Sequence, residues 1–345
     1  MLRGIAILTK YLIAFVVLAI ILGATYESFA HKQAALDFPP PGQLINIGER
    51  HIHLDCRGNG HPTVVFESGL DVNGSLSWSR VHDTIAASTR ACAYSRAGIM
   101  WSEPHDISPT GKTIANDLNA ALKNAGEPGP FVLVGHSLGG PYIMTYTKYF
   151  RDDVAGLVFV DSSHPEQIQR IAALNLPEAG MHESTKTLYK LGAALNWTGL
   201  VRIVASFYSK HPKQPENDDL AIKAYTSTSL EAMLKEQDAI PQTLEEANTF
   251  RELGNRPLFV LSAMKPLTKE TLTHLKWTDE QAKQVRNTWQ QMHSEQAAWS
   301  SNSQHQLVLD ASHYIQLDRP DIVSEATLWV INQVRNKQEA NEPNK

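Results

Sequence analysis

Short apolar runs recur along the chain, and turn residues bound each of them. Four-residue runs of this kind are typical of strands that are buried on both faces of a sheet. Two earlier segments, 44–47 and 51–56, alternate apolar and polar residues around Gly48, which predicts a half-exposed hairpin. The six apolar runs cover residues 63–66, 91–94, 131–134, 157–160, 258–261 and 306–309. Together these segments predict a sheet of eight strands.

Helical patterns separate most of these strands. They cover residues 113–125, 138–150, 279–299 and 321–334. In the last of them Ile322, Ala326, Val330 and Val334 recur at every fourth position, which predicts one apolar face. Because strands and helices alternate, the sheet is predicted to be mostly parallel, with helices against its faces.

One long interval breaks the alternation. Residues 164–256 contain no convincing strand and are rich in helix formers and scattered aromatic residues. We expect a helical cap here, inserted after the sixth strand into a core made of residues 44–163 and 257–336. A separate downstream domain is a weaker interpretation, because the strand pattern resumes at Leu258.

The amino terminus has the composition of a membrane-directed segment. Residues 11–26 carry no charge, Arg3 and Lys10 precede them, and Glu27 ends the stretch. Two interpretations of residues 1–30 stay open: a signal peptide cleaved after Ala30, or a retained anchor that begins at Gly4 and includes Lys10. Both place the rest of the chain outside the cytoplasm, in the periplasm or held at the membrane.

Residues 31–43 are predicted to form a linker, because 39–42 read Pro-Pro-Pro-Gly.

Composition and charge exclude two classes of protein. Of the 345 residues 42% are hydrophobic and 19% charged, which excludes a disordered chain. The formal charge is −5 and no run of Lys or Arg occurs, so no nucleic-acid partner is expected.

The two cysteines, Cys56 and Cys92, are too few for a tetrahedral zinc site or an iron–sulfur cluster, but they suffice for one disulfide. An exported protein can keep such a bond. We expect neither a metal nor a cofactor.

A candidate nucleophile follows the fifth predicted strand. Residues 131–140 read Phe-Val-Leu-Val-Gly-His-Ser-Leu-Gly-Gly, so Ser137 occupies a G-x-S-x-G pattern between a strand and a helix. A serine on this sharp turn stands clear of the sheet, and the following backbone N–H, that of Leu138, faces the oxyanion that develops in acyl transfer. Gly135 and Gly139 leave room for the close strand–helix packing around such a turn.

An activated serine requires a base. His313 is the best candidate of the 14 histidines, because it follows the last strand, where an open α/β sheet gathers its carboxyl-end loops. His136 lies inside the turn and is expected to pack rather than act. His51 and His53 alternate with Asp55 and could bind a metal, although a solvated strand face is the favoured interpretation.

The base in turn requires a carboxylate to orient it. Asp161 stands directly after the sixth strand and is our candidate, with a loop-capping role as the alternative. Asp310 is too close to His313 along the chain. A second oxyanion donor is expected from the loop after the third strand, where the N–H of Leu70 follows Gly69 and would pair with that of Leu138.

These pieces resemble the α/β-hydrolase fold superfamily, in the group of serine hydrolases with a cap after strand six. Residues 63–70 at the oxyanion loop, 135–140 at the turn and 312–320 around the base carry the resemblance, which extends over residues 44–335. It implies an α/β-hydrolase fold: a mostly parallel eight-stranded sheet, flanked by helices, with an inserted helical cap.

One segment departs from the pattern of this superfamily. Relatives often read Tyr-Asp-Arg-x-Gly-x-Gly-x-Ser after strand four, whereas residues 94–102 read Tyr-Ser-Arg-Ala-Gly-Ile-Met-Trp-Ser. Ser95 thus replaces the acid and Met100 the second glycine, which predicts a reshaped pocket border. In this fold strands two and four are neighbours, so a disulfide between Cys56 and Cys92 is a hypothesis that the resemblance supports.

The expected activity is hydrolysis of carboxylic esters or lactones of small hydrophobic substrates, through an acyl-enzyme on Ser137. Amidase or iminopeptidase chemistry is an alternative. A membrane-associated binding protein that has lost turnover is another, since fold does not dictate function.

Overall fold

The eight predicted strands form one sheet in the computed structural model of the chain, which describes residues 2–177, 183–208 and 211–341. The strands are β1 (Gln43–Asn46), β2 (His51–Arg57), β3 (Val64–Glu67), β4 (Ala91–Tyr94), β5 (Phe131–His136), β6 (Val154–Val160), β7 (Leu258–Ala263) and β8 (Ser303–Val308). Their spatial order is β1-β2-β4-β3-β5-β6-β7-β8, and only the pairs β1–β2 and β2–β4 are antiparallel. The predicted fold class, an α/β-hydrolase fold with a mostly parallel sheet, is confirmed.

Helices cover both faces of the sheet and fill the interval between β6 and β7. They are α1 (Leu2–Asp37), α2 (Ser79–Ala86), α3 (Gly111–Asn124), α4 (Gly139–Tyr149), α5 (Gln167–Ala172), α6 (Glu183–Ala194), α7 (Leu200–Ser206), α8 (Glu216–Asp238), α9 (Ile240–Asn248), α10 (Lys269–Leu275), α11 (Asp279–Ala297), α12 (Ile315–Asp318) and α13 (Pro320–Asn341). The described residues of 164–256 thus hold α5 to α9.

Alternate residues of each central strand enter one of two apolar cores. On one side Leu133 of β5 packs with α3 and α4, and on the other Val132 and Val134 pack with α2 and α13. Because these strands are buried on both faces, their side chains fix the sheet against both layers. Because β3, β5, β6 and β7 are parallel neighbours in the sheet, their carboxyl ends lie in a row at one edge.

The hypothesis of a disulfide agrees with the structure. Cys56 of β2 lies opposite Cys92 of β4 in the antiparallel register, and the two sulfur atoms are bonded. The covalent link joins the antiparallel strand β2 to the parallel part of the sheet.

The prediction for β2 itself needs correction. His53 and Asp55 are buried, not solvated, because residues before β1 and the loop after β4 cover His53, and Arg57 pairs with Asp55. His53 contacts the carbonyl oxygen of Pro41 and lies 3.3 Å from the hydroxyl of Ser95. Burial lowers the pKa of His53 to about 4, so the ring is neutral at pH 7.

The segment 31–43, predicted to be a linker, is helical as far as Asp37, because α1 continues without interruption through residues 31–37. The prolines end this helix, since Pro39 disfavours the helical conformation for the residue before it. Residues 38–42 alone connect α1 to β1.

Candidate active site

Ser137 lies on the turn between β5 and α4, where its backbone adopts a φ of 52°. Two glycines allow this turn. A Cβ atom on Gly135 would lie 2.7 Å from the carbonyl carbon of Gly139, and one on Gly139 would lie 2.5 Å from the carbonyl oxygen of Glu67. The N–H of Ser163 donates to the carbonyl oxygen of Ser137 at 2.8 Å. The turn is thereby fixed to β3 and to the end of β6.

The loop after β3 lies directly against Ser137. A Cβ atom on Gly69 would lie only 2.9 Å from the Cβ of Ser137, so this approach requires glycine. Within the described residues, the N–H groups of Leu70 and Leu138 donate to no protein acceptor. Two free N–H groups on either side of a serine can receive a developing oxyanion.

Asp161 follows β6 directly, with a φ of 43°. The Nδ1 atom of His313 lies 2.6 Å from Oδ2 of Asp161, and the N–H of Ala263 donates to Oδ1 at 2.8 Å. Burial alone would raise the pKa of Asp161, but the hydrogen bond and the charge of His313 outweigh it and hold this pKa below its usual range. The carboxylate is therefore ionised and can fix the tautomer of His313 with the hydrogen on Nδ1.

His136 holds the loop of His313 next to the serine turn. Its ring lies 4.7 Å from that of His313, and its Nε2 donates to the carbonyl oxygen of His313 at 2.9 Å. Burial, reinforced by the positive charge that His313 can carry, lowers the pKa of His136 to about 3. The neutral ring therefore packs beside the site, as predicted.

Two further histidines, which no sequence pattern marked, lie behind Asp161. His293 of α11 is buried, with Nε2 2.9 Å from the carbonyl oxygen of Ser162 and Nδ1 2.7 Å from the hydroxyl of Ser262. That hydroxyl is also 2.8 Å from Nε2 of His305. Since the carbonyl of Ser162 only accepts, Nδ1 of His293 accepts from Ser262, which in turn accepts from His305.

A buried ion network supports the loop after β3. The Nη1 atom of Arg96 donates to Glu67 at 2.7 Å and to the carbonyl oxygen of Ser68 at 2.8 Å, and Nη2 donates to the carbonyl oxygen of Gly69 at 2.7 Å. Glu236 of α8 accepts from Nε and Nη2, both at 2.7 Å. Arg96 thus joins the oxyanion loop to a helix of the cap interval, which the sequence did not indicate.

Glu67 of β3 is the second carboxylate of this network, and it also contacts Tyr94. The phenol of Tyr94 donates to Glu67, and burial raises the pKa of Glu67 to about 7. The guanidinium of Arg96 opposes this rise by favouring the ionised form. Arg96, Glu67 and Glu236 are all almost fully inaccessible to water, so loss of Arg96 would leave two buried carboxylates without their cation.

Apolar side chains surround the free N–H groups of Leu70 and Leu138. Leu138 packs with Ile114 and Tyr142 of the core, with Leu244 of α9, and with the partly buried Leu70. A cavity of about 550 Å³ is found elsewhere, between the end of α1, the loop after β4 and α8. None of Ser137, Asp161 and His313 lines that cavity, whereas Ile114 of the apolar cluster does.

The five residues selected from the sequence therefore lie at one edge of the sheet, where Asp161 contacts His313, while the Ser137 hydroxyl has no hydrogen-bond partner among the described residues. Ser137 and Leu138 follow β5, Leu70 follows β3, and Asp161 follows β6. His313 arrives from beyond β8, in contact with Asp161 and His136.

Comparison with known sequences gives a family match. The profile described as the alpha/beta hydrolase family matches residues 23–326. An uncharacterized protein of Schizosaccharomyces pombe is 27% identical in an alignment of 278 positions that covers 70% of this chain and 48% of that protein. An uncharacterized vacuolar membrane protein of Saccharomyces cerevisiae is 26% identical in an alignment of 159 positions that covers 41% of this chain and 23% of that one. The chain thus spans about half or less of the length of these relatives.

Solved structures resemble the chain over most of its length. An esterase of Thermogutta terrifontis has 17% identity and a TM-score of 0.54, covering 84% of this chain and 97% of its own. A bromoperoxidase of Bacillus anthracis has 18% identity and a TM-score of 0.57, covering 84% and 99%. At these identities the likeness concerns the fold.

Proposed function

The chain belongs to the alpha/beta hydrolase family, and from that premise we propose that it is a serine hydrolase that cleaves carboxylic esters or lactones of small hydrophobic substrates. The observation that carries the proposal is the contact of His313 with Asp161, at the sheet edge where Ser137 stands on its turn. A neutral imidazole oriented by a carboxylate is the base that a serine hydroxyl requires.

The proposed reaction has two steps. His313 takes the proton of Ser137 while Oγ bonds to the carbonyl carbon of the substrate, and the N–H groups of Leu70 and Leu138 hold the resulting oxyanion. The C–O bond then breaks, and the alkoxide leaves with the proton from His313. Water, deprotonated by His313, attacks the acyl-enzyme and releases the carboxylic acid and Ser137.

The apolar cluster around Leu138 supports a hydrophobic acyl group. Ile114, Tyr142 and Leu244 are buried beside Leu138, and the partly buried Leu70 packs against them next to Ser137. An ester is favoured over an amide, because an alkoxide leaves more easily than an amine.

The proposal extends to the location of the protein. We infer that α1 is a retained membrane anchor, because its second half is built into the fold. Arg202 of α7 donates to Glu27 through Nε at 2.8 Å and Nη2 at 2.7 Å, and both side chains are buried. Cleavage after Ala30 would remove Glu27 and leave Arg202 buried without its carboxylate, which is costly.

A fluorophosphonate probe tests the catalytic part. We expect the probe to label the wild type, the adduct to map to Ser137, and Ser137→Ala to lose both the label and the turnover of chromogenic esters. Ser88→Ala, a substitution at an exposed serine after α2, is the matched control and should keep both. Labelling of Ser137→Ala at the wild-type rate, or amide turnover that exceeds ester turnover, would contradict the proposal.

Mass spectrometry of the protein extracted from membranes tests the anchor. We expect a mass that includes residues 1–30. A mature chain that starts at His31 would refute the retained anchor and leave the catalytic proposal untouched.

A further inference from the structure

The exposed part of α1 ends where it meets α7. Residues 3–22 of this helix are exposed throughout, and at a rise of about 1.5 Å per residue they span about 30 Å, the thickness of the hydrocarbon core of a bilayer. A Cβ atom on Gly23 would lie 2.3 Å from the carbonyl oxygen of Thr198, and one on Gly199 would lie 2.8 Å from the ring of Tyr26. The start of α7 therefore lies at the level where the exposed apolar segment stops.

The helix α7 has two unlike faces. Arg202 and Ala205 are buried on the side of α1 and α8. Leu200, Ile203, Val204 and Phe207 are exposed on the other side, at the spacing of one helical face. Phe207 is 83% exposed, which is unusual for a phenylalanine in contact with water.

Neighbouring residues extend this surface. Trp197 precedes α7, Tyr208 follows it, and Leu188 and Leu191 of α6 are exposed as well. Between Trp197 and Tyr208 the only charged residue in the sequence is Arg202, which is paired with Glu27. We call the apolar surface of Leu188, Leu191, Trp197, Leu200, Ile203, Val204, Phe207 and Tyr208 the α7 face.

We propose that the α7 face is a membrane-docking surface, which enters the headgroup region of the leaflet from which α1 emerges. The occupant is a lipid surface, because the face is continuous with the helix that spans the bilayer and begins at the level where that span ends. An apolar helix face flanked by Trp and Tyr is typical of segments that lie in the membrane interface. The inference rests on the proposed retained anchor. In this arrangement the α7 face places the cap in contact with the bilayer.

Site-directed spin labelling of the full chain tests the proposal. Both native cysteines are in the disulfide, so a single introduced cysteine can be labelled with a nitroxide. We would compare Phe207→Cys with Leu309→Cys, an exposed apolar position after the edge strand β8, and with Ile13→Cys within the span, in phosphatidylcholine vesicles. The readout is the collision rate of each label with oxygen and with a water-soluble nickel chelate.

We expect the Phe207→Cys label to be protected from the nickel chelate severalfold relative to the Leu309→Cys label, and the Ile13→Cys label to be protected most. A deep Ile13→Cys label together with a Phe207→Cys label that is as accessible to nickel as Leu309→Cys would overturn the docking surface alone. A water-accessible Ile13→Cys label would overturn the anchor and the docking surface together. Spin–spin broadening at Phe207→Cys that persists on dilution with lipid would overturn it in favour of a second copy of the chain.

Ester hydrolysis by the same labelled proteins is measured in parallel. A Phe207→Cys label that is exposed to water in a protein with full ester turnover would contradict the docking surface and leave the proposed catalytic function untouched.

Discussion

Asp161 and His313, which are 152 residues apart in the chain, meet at 2.6 Å between Oδ2 and Nδ1. We expect Asp161→Asn to lower kcat by about 10⁴-fold, because an amide in this position favours the wrong tautomer of the imidazole while the fold is retained. Steady-state kinetics on a chromogenic ester measure the effect. Asp310→Asn, at an exposed carboxylate that pairs with Arg319, is the control. A loss confined to Asp310→Asn would mean that the acid was assigned wrongly.

Glu236→Gln tests the link between the cap and the oxyanion loop. The substitution removes one charge from the buried pair with Arg96, which still faces Glu67. Since hydrogen bonds to charged groups contribute about 1.5–3 kcal/mol, we expect the free energy of unfolding in urea to fall by about 2 kcal/mol. We also expect kcat to fall, because Arg96 holds the carbonyl groups of Ser68 and Gly69.

Glu231→Gln on the same helix is the matched control. Glu231 is exposed and pairs with Lys235 one turn away, so its replacement should change the stability by less than about 1 kcal/mol. Equal losses for the two variants would show that Arg96 does not depend on Glu236.

Gly140→Ala is expected to destabilise the protein through steric conflict. The new Cβ would lie 1.7 Å from Oγ of the buried Ser162, and overpacking of this kind costs about 1–3 kcal/mol. Gly192→Ala of α6 is the counterpart, with its nearest neighbour at an ordinary 3.7 Å. This exchange should stabilise the protein by about 0.5–1 kcal/mol. Thermal unfolding in detergent compares the two, and the prediction fails if Gly140→Ala melts at the wild-type temperature.

His53 gives stability a defined pH dependence. Burial lowers its pKa from 6.5 to about 4, so between these values the unfolded chain binds a proton that the folded chain does not. Stability therefore falls as the pH falls below 6.5, by up to about 1.4 kcal/mol per pH unit for this one group.

We expect His53→Gln to be less stable than the wild type at pH 7 and the difference to narrow between pH 6 and pH 5. Urea unfolding at the three pH values measures it. A constant difference across the range would show that His53 does not titrate on unfolding.

The site could be predicted where its signal is local. Ser137 stands between a four-residue apolar strand and a helix, flanked by glycines, and Asp161 follows a strand directly. Because the carboxyl ends of parallel strands meet at one edge, the order of the strands brings these residues together. His313 could be chosen for the same reason.

The supporting residues could not be predicted in this way. Glu236 lies on a helix with charges around its circumference, 140 residues from Arg96, and no spacing pattern marks it. His293 of α11 likewise contacts Ser162 across 131 residues. Such contacts depend on the packing of elements that are distant in the chain.

The amino terminus shows the same difference between local sequence signals and contacts made by residues distant in the chain. The uncharged stretch 11–26 marks an apolar segment, but nothing local indicates that α1 continues to Asp37. That continuation is stabilised by Arg202 against Glu27, 175 residues away, and by Tyr225, which donates to the carbonyl oxygen of Phe38 at 3.2 Å.

Hydrogen bonds join Ser162 and Ser163, the residues just before the cap interval, to the turn of Ser137 and to α11. Ser163 donates to the carbonyl of Ser137 and accepts from Gln296, while the carbonyl of Ser162 accepts from His293. The junction at residue 163 therefore ties the turn of Ser137 to the end of β6 and to α11 independently of the helices that follow, whereas the loop after β3 depends on Glu236 of α8 through Arg96. A graft that replaces the cap interval therefore has to supply a carboxylate opposite Arg96 and an arginine opposite Glu27, and to keep α9, whose Leu244 and Ala247 belong to the apolar cores.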